Sequence, residues 1–596
     1  VDTSFEPYRR DAFRHRSIAA QRQSIEFTNE PGEGTVNTEG LWRRGMDDWE
    51  LGAGQTFLDR KGAVANRFYR SKGVDPWIQW QLSLLPKTKQ VYSSVSGNGF
   101  QVGPYTYVIE AGVLKFSLDL VMWTTVVGVS PVSSDPKSFA TNGYDIWVIG
   151  TAGALSQIYH TTVGYGAATH FSLGDYQAVF WGSGWLIGAS GAELFSFDST
   201  GAATLLIQQP VGWVWSCFGT AASQLYIAGY MESVIGGVSY KTKSAIYRTT
   251  AEPTGANLTV PVVALPMEGG EYVTALYGYL NFMFVGTNLG LRMCRTLAAY
   301  DPTGAQGDLE AGPLIPNLTQ PVTQPVTAIV GNNRWVYFAW TDYDNVSTGL
   351  GRADLSTFID TLAPAYASDR MIEGAGTITH LDWYQNIDCP LISVGGLGIY
   401  LDDSVPVDSG YVDSGYITFG IPDDKILMSG DIRTLTPVDG VVTMSIGMDG
   451  QNLVPVGEVS DTIPSGVFPV AQIRGENATV RLTLAPDGGT DGPTLLRWTT
   501  QAIPAVVSGT TISVVLNMKD TAVELGQDIS QFPYAEYAYL EALREAQEVV
   551  TYQEGPYSAQ VTVDELDWLP YSLQNDNPGF HGTLVVYLKR WIIGSN

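Results

Sequence analysis

The chain has 596 residues, a net charge of −27, 44% hydrophobic residues and only 16% charged ones. That length exceeds what one core can serve and predicts roughly three or four domains. The acid excess excludes a phosphate-tracking nucleic-acid binder, which needs clustered Lys and Arg. No apolar run approaches the ~18 residues of a membrane span, so no membrane insertion is expected.

Residues 1–95 read as an extended N-terminal arm with small strands. Arg22–Asn29 alternates like a strand, Glu30–Gly40 is too polar and Gly-rich to pack alone, and Trp42–Gly62 and Val74–Pro86 are Trp-rich without helical periodicity. Arg9, Arg10, Arg14, His15 and Arg16 stand where a leader's apolar stretch would lie, so no signal peptide is expected. The first 72 residues carry 12 Lys and Arg against 11 Asp and Glu, whereas the remaining 524 carry 21 against 49. A near-neutral arm ahead of an acidic body suits contact with that body or with a neighbouring subunit.

Residues 96–404 repeat. Seven times an aromatic and β-branched run ends in Gly or Ala, passes a few small residues and resumes as a second apolar run. The instances are Tyr107–Leu118, Ile146–Tyr159, Trp185–Phe197, Leu225–Tyr230 with Ser244–Thr249, Phe282–Arg295, Val336–Trp340 with Gly349–Leu355, and Leu391–Leu401. The residues ending the first runs (Gly112, Gly150, Gly188, Gly229, Gly286, Ala339, Gly395) are spaced 38, 38, 41, 57, 53 and 56 apart. A period of about 40 residues is that of a four-stranded propeller blade, and the longer spacings leave room for loops such as Met231–Lys243 and Asp342–Gly349. One such sheet cannot bury both of its faces, but seven around an axis can. The fold class expected is therefore mainly β with a seven-bladed β-propeller, the alternative being a pair of β-sandwiches with similar hairpins. The long loops of the fourth to sixth repeats should gather on one rim, the usual place for binding.

Residues 405–505 alternate like a β-sandwich, in Val441–Gly450, Phe468–Gly475 and Ala478–Gly489. Residues 506–596 read as a small C-terminal α+β module. Thr511–Met518 is its first strand, and Tyr534–Gln547 its helix, with Tyr537, Leu540, Leu543 and Ala546 on one stripe.

Chemistry is sparse. The five histidines (His15, His160, His170, His380, His581) form no HExxH or HxH pattern, and no GxSxG elbow or phosphate loop occurs. Cys217, Cys294 and Cys389 are far apart without a CxxC, which points to buried thiols rather than disulfides or zinc. Glu110, Asp145, Asp342 and Asp382 are the rim carboxylates from which a glycosidase pair would have to be assembled. Asp342, Asp344 and Asn345 have the oxygen-ligand spacing of a calcium loop, although a solvated turn fits as well. Ser196–Thr204 loosely matches a sialidase Asp-box but occurs once, and reads as a hairpin. Trp181, Trp185, Trp213, Trp215, Trp335, Trp340 and Trp383 could stack on sugars, yet lie in strand-like runs and suit a core. No catalytic, cofactor-binding or metal-binding residue is assigned from the sequence, and no enzyme or cofactor is expected.

Several stretches carry a resemblance: Asn29–Arg60 with Arg70–Trp77, Phe284–Arg295, Asp413–Thr434, Gln472–Leu484 and Thr494–Ala505. Together they resemble minor tail proteins of siphophages that infect actinobacteria, and the likeness covers most of the chain. The resemblance implies a structural virion protein of the tail tip that contributes to host attachment. It further implies a ring of three or six copies around the tail axis, in contact with other tail-tip proteins, with host envelope glycan as a candidate ligand. A glycan-cleaving propeller enzyme and a carbohydrate-binding module are the alternatives.

Overall fold

The computed structural model describes residues 14–18, 42–58, 67–93, 98–297, 308–315, 325–340, 347–518, 521–570 and 582–590, apart from short gaps of a few residues inside these ranges. The protein is mainly β, and among the described residues Pro533–Ala546 is the one α-helix. The chain divides into two compact units, one holding most of residues 43–501 and the other built from the two chain ends.

The larger unit contains seven four-stranded antiparallel sheets. Six are consecutive in sequence, over 98–125, 139–172, 178–208, 213–266, 273–311 and 326–373. The seventh takes Ile378–Tyr384, Cys389–Val394 and Gly398–Pro406, and its fourth strand is Pro86–Ser93, which precedes the first sheet in sequence. Each apolar run read from the sequence lies on the second and third strands of one sheet. Several of those second strands are deeply buried: Tyr105–Glu110 and Trp185–Ser190 are part-buried only at their ends and buried between them, and Cys389–Val394 is buried throughout. This is the pattern expected where a strand is covered on both faces.

The sheets pack face to face in series. Phe100, Tyr107 and Ile109 of the first meet Ile146 and Val148 of the second. Trp147 and Ile149 then meet Val179 and Leu186, and Ile187 and Leu194 meet Trp215 and Ile227. Tyr226 and Ile246 meet Val273 and Val285, and Tyr337 and Ala339 meet Leu381 and Ile392. Val108 of the first sheet packs with Tyr384, Leu391 and Ile399 of the seventh. Small residues permit the approach. A Cβ on Gly278 would lie 1.5 Å from the Thr220 carbonyl oxygen, so the fifth and fourth sheets touch backbone to backbone there.

The segment expected as an arm is woven into the unit. Pro86–Ser93 belongs to the seventh sheet, and four strands between Trp42 and Leu84 join the two sheets built mainly from residues 410–504. One of those sheets runs in the order Arg70–Lys72, Gly410–Ile417, Ala478–Pro486, Gly440–Met448, Val454–Ser460. The other has Lys425–Thr434 and Leu495–Pro504 at its centre and takes in Gln81–Leu84, Val74–Ile78 and Trp42–Met46. The two pack on each other where Gly430 makes room for Met444. Strands expected to form a separate arm thus fill out sheets of the larger unit, where strand edges offer them backbone partners. The strand expected over Arg22–Asn29 lies outside the described residues.

Met231–Lys243, expected as a loop, is instead a continuation of the two middle strands of the fourth sheet, each 12 residues long. In the smaller unit, Thr510–Met518, Gly582–Arg590, Tyr557–Pro570 and Val550–Glu554 form a sheet that Arg14–Ile18 extends. The helix buries Leu540 and Leu543 against it, with Tyr537 on Trp568.

Candidate functional site

Among the described residues, Glu110, Asp145 and Asp382 each have separate hydrogen-bond partners. Glu110, at the end of its strand, accepts from Lys115 Nζ at 2.7 Å and from the Tyr92 hydroxyl at 2.5 Å. Those partners hold its carboxyl below the usual range, so it serves the seam between the first sheet and Pro86–Ser93 of the seventh. Asp145 contacts His160 Nε2 at 2.9 Å and accepts from Asn142 Nδ2 at 3.2 Å. Asp342 lies outside the described residues, as do Asp344 and Asn345 and with them the calcium loop.

Asp382 differs from these. It sits on the first strand of the seventh sheet and accepts from the Gln101 amide of the first sheet at 2.7 Å and from the Trp383 amide at 2.8 Å. Although solvent reaches part of it, the carboxyl is recessed, and desolvation pushes its pKa up to about 6 against the pull of those two amides. His380, two positions earlier on the same strand and edge-on to Phe139 of the second sheet, is pushed down to about 4 by desolvation. The same seam is laced by Ser393, whose hydroxyl contacts both the amide and the carbonyl of Gly99. With a pKa of about 6, the Asp382 carboxyl can hold or release a proton in the physiological range.

The tryptophans serve packing. Trp181 stacks on Trp147 at 5.0 Å, and Trp213 meets Trp215 at 5.7 Å, both of that pair buried. Trp185 packs on the core between the third and fourth sheets, and Trp383 lies on Tyr337 with its indole N–H on Asp388. Trp335 packs at a tilt against Trp77 of the N-terminal segment, with centroids 5.2 Å apart. The side chain of Trp340 lies outside the described residues. Among the exposed aromatics, Trp80, Tyr144 and Tyr165 lie in turns or loops between strands.

Sequence reasoning missed a buried charge network. Arg370 donates to both oxygens of Asp369 at 2.8 and 2.9 Å and bridges Asp402 at 2.7 Å. Arg352 lies 3.3 Å from Asp369 and 3.0 Å from Asp75 of the N-terminal segment, and its guanidinium faces the rings of Trp77, Trp335 and Tyr337. Neither its Nε nor its Nη2 is aligned as a hydrogen bond, so this arm of the network is a charge contact rather than a fork. Burial opposes the charge on Arg370, but Asp369 and Asp402 outweigh it and hold its pKa well above the ordinary value. The network joins the sixth sheet, the seventh sheet and the segment before them. The available signal was Asp-Arg within the run Ala363–Glu373, whose neighbours are buried.

No family model and no curated protein matches this chain. Among solved structures it is similar to the tricorn protease, at 12% identity over 54% of this chain, with a TM-score of 0.32. The match spans about a third (34%) of that protease chain. An extracellular domain of a one-component system from B. thetaiotaomicron matches at 10% identity over 74% of this chain and 64% of its own, with a TM-score of 0.35. An exo-β-1,3-galactanase from Phanerochaete chrysosporium matches at 11% identity over 69% of this chain and 96% of its own, with a TM-score of 0.23. At these scores the likenesses carry neither a blade count nor a chemistry over to this chain.

Proposed function

We propose that this chain is a structural, non-catalytic subunit of a phage tail tip, and that its seven sheets form a closed seven-bladed β-propeller joined to a β-sandwich. The observation that carries the architecture is the seventh sheet's fourth strand, taken from Pro86–Ser93 ahead of the first sheet. A sheet finished by the opposite end of the repeat ties last to first, and a body tied in this way suits an assembly subunit that bears load. The weaving of Trp42–Leu84 into the neighbouring sheets supports the same reading, since it couples propeller and sandwich into one platform. In the proposed assembly three or six copies surround the tail axis, contact other tail-tip proteins and contribute to attachment at the host envelope. Immunogold electron microscopy of virions with antibody to this protein should label the distal tail end. Labelling that is absent, or spread along the tail, would reject the assignment.

One observation favours a second reading, a glycan-cleaving enzyme: the recessed Asp382 carboxyl with its pKa of about 6, in the range of a general acid. Purified protein would then release reducing ends from actinobacterial wall polysaccharide, and Asp382→Asn would abolish the release. No release by the unaltered chain at high concentration removes this alternative and leaves attachment without hydrolysis.

A further inference from the structure

The two middle strands of the fourth sheet run well past their neighbours. The first strand of that sheet pairs no further than Trp213 with Met231, and the fourth begins at Ala245 with Pro266. From Ser233 to Tyr240 the ribbon therefore stands without a flanking strand among the described residues, closed by Gly236 and Gly237 at positive φ. Its side chains are apolar and out in solvent: Val234 is 70% exposed, Ile235 68%, Val238 54% and Tyr240 49%. An isolated two-stranded ribbon in water is marginal, and Ile235, Val238 and Tyr240, which share one face of this one, are 68%, 54% and 49% exposed.

The backbone specifies what fits. The Glu232 amide points away from the ribbon, since it donates to the Gly212 carbonyl at 2.8 Å. Outward-facing residues recur at every second position of an antiparallel pair. Val234 on one strand and its partner Ser239 on the other therefore also turn N–H and C=O outward, one on each free edge. A lipid interior would leave those groups unsatisfied, which argues against insertion into a bilayer. An added strand satisfies them.

Charge narrows the choice. Lys243 and Lys241, the latter with its ammonium over the rings of Tyr230 and Tyr272, flank the ribbon, and its one acid, Glu232, accepts from the Ser239 hydroxyl at 2.5 Å. The ribbon is thus locally basic on a chain of −27, which favours an acidic segment as its occupant. We propose that this ribbon is a docking edge for an extended strand of a partner polypeptide, apolar on one face and carrying carboxylates where it passes Lys241 and Lys243. Main-chain pairing would supply the affinity, and the lysines the choice of partner. The proposal does not depend on the tail-tip reading.

Amide hydrogen exchange on the full chain tests it, with the synthetic peptide Glu-Val-Thr-Val-Thr-Val-Glu as the probe. The expected result is slower exchange over 232–241 with the peptide present. A peptide with Lys at both ends should need about tenfold higher concentration for the same protection. An N-methylated peptide, lacking the donors, should give none. The variant Lys241→Glu/Lys243→Glu should reverse the preference between the two peptides, with unchanged exchange over 213–230 showing that the sheet is intact. No protection by millimolar peptide overturns the proposal. So does equal protection by both charge types, or protection that appears without peptide as protein concentration rises.

Discussion

Replacing Arg370 by Met should cost the larger unit about 3–5 kcal/mol, the range for removing one member of a buried ion pair. The figure rests on what is left behind. Asp369 is fully buried and takes two aligned hydrogen bonds from Arg370, while its other cation, Arg352, contacts it without alignment. Without Arg370, Asp369 keeps one poorly oriented partner, and Asp402 loses its bridge as well. Arg370→Lys should recover little, because a single ammonium cannot bridge two carboxylates as the guanidinium does. Arg334→Met is the matched control. Arg334 sits 3.8 Å from Asp354 with 47% of its side chain exposed, and should matter by no more than about 1 kcal/mol. Urea titration followed by tryptophan fluorescence at neutral pH reads all three, since Trp77 and Trp335 line the network. If Arg370→Met is no less stable than Arg334→Met, the network does not hold the sixth and seventh sheets to the N-terminal segment.

The seam between the first and seventh sheets should respond to pH through two opposed groups. The folded pKa of Asp382, about 6, lies above its ordinary 3.8, so its contribution is present at low pH and lost as pH rises through 6. That of His380, about 4, lies below its ordinary 6.5, so its contribution is present above 6.5 and lost as pH falls through 4. Between pH 7 and 5 the two should nearly cancel in thermal melts. Asp382→Asn should then lose about 1–2 kcal/mol on acidification and His380→Gln gain a similar amount, and parallel pH profiles for both variants would contradict the assignment. Gly278→Ala should destabilise by about 3 kcal/mol, because the methyl group meets the Thr220 carbonyl, and an unchanged melting temperature would contradict that. Burial pushes the thiols of Cys217 and Cys294 up to about 12 and that of Cys389 up to about 11. A disulfide reagent at pH 8 should therefore label none until urea is added, and rapid native labelling of Cys294 would refute its burial.

The repeat was legible because burial on both faces demands an apolar second strand, and Tyr107–Ile109, Leu225–Ala228 and Leu391–Val394 announce it. The seventh sheet's missing strand was not. Pro86–Ser93 is Lys-bearing and half exposed, as an edge strand is, so it resembles the arm around it. The strands at Trp42 and Arg70 were obscured for the same reason: they are short, and their partners lie some 340 to 460 residues away, whereas Val74–Ile78 pairs locally with Gln81–Leu84. For the candidate site, the sequence nominated Glu110, Asp145 and Asp382 alike. What separates them is desolvation and local partners, which depend on neighbours from other sheets. The Arg352–Asp369–Arg370 cluster escaped notice because charged residues in a strand ordinarily mark a solvent face.

The strand at Pro86–Ser93 also sets an order of events during synthesis. It leaves the ribosome first, yet its partner Gly398–Pro406 follows Ser93 by 305 positions. At 5–20 residues per second that is a wait of roughly 15–60 s. Throughout it, Val91 and Tyr92 lack the Leu391 and Ile399 surface on which they finally rest. Six sheets can assemble as they emerge, whereas the seventh must recruit a segment made before any of them. Completion is then a single late event joining both ends of the repeat, and a nascent chain cut short before residue 398 should remain prone to pairing with the same strand of a neighbour on the polysome.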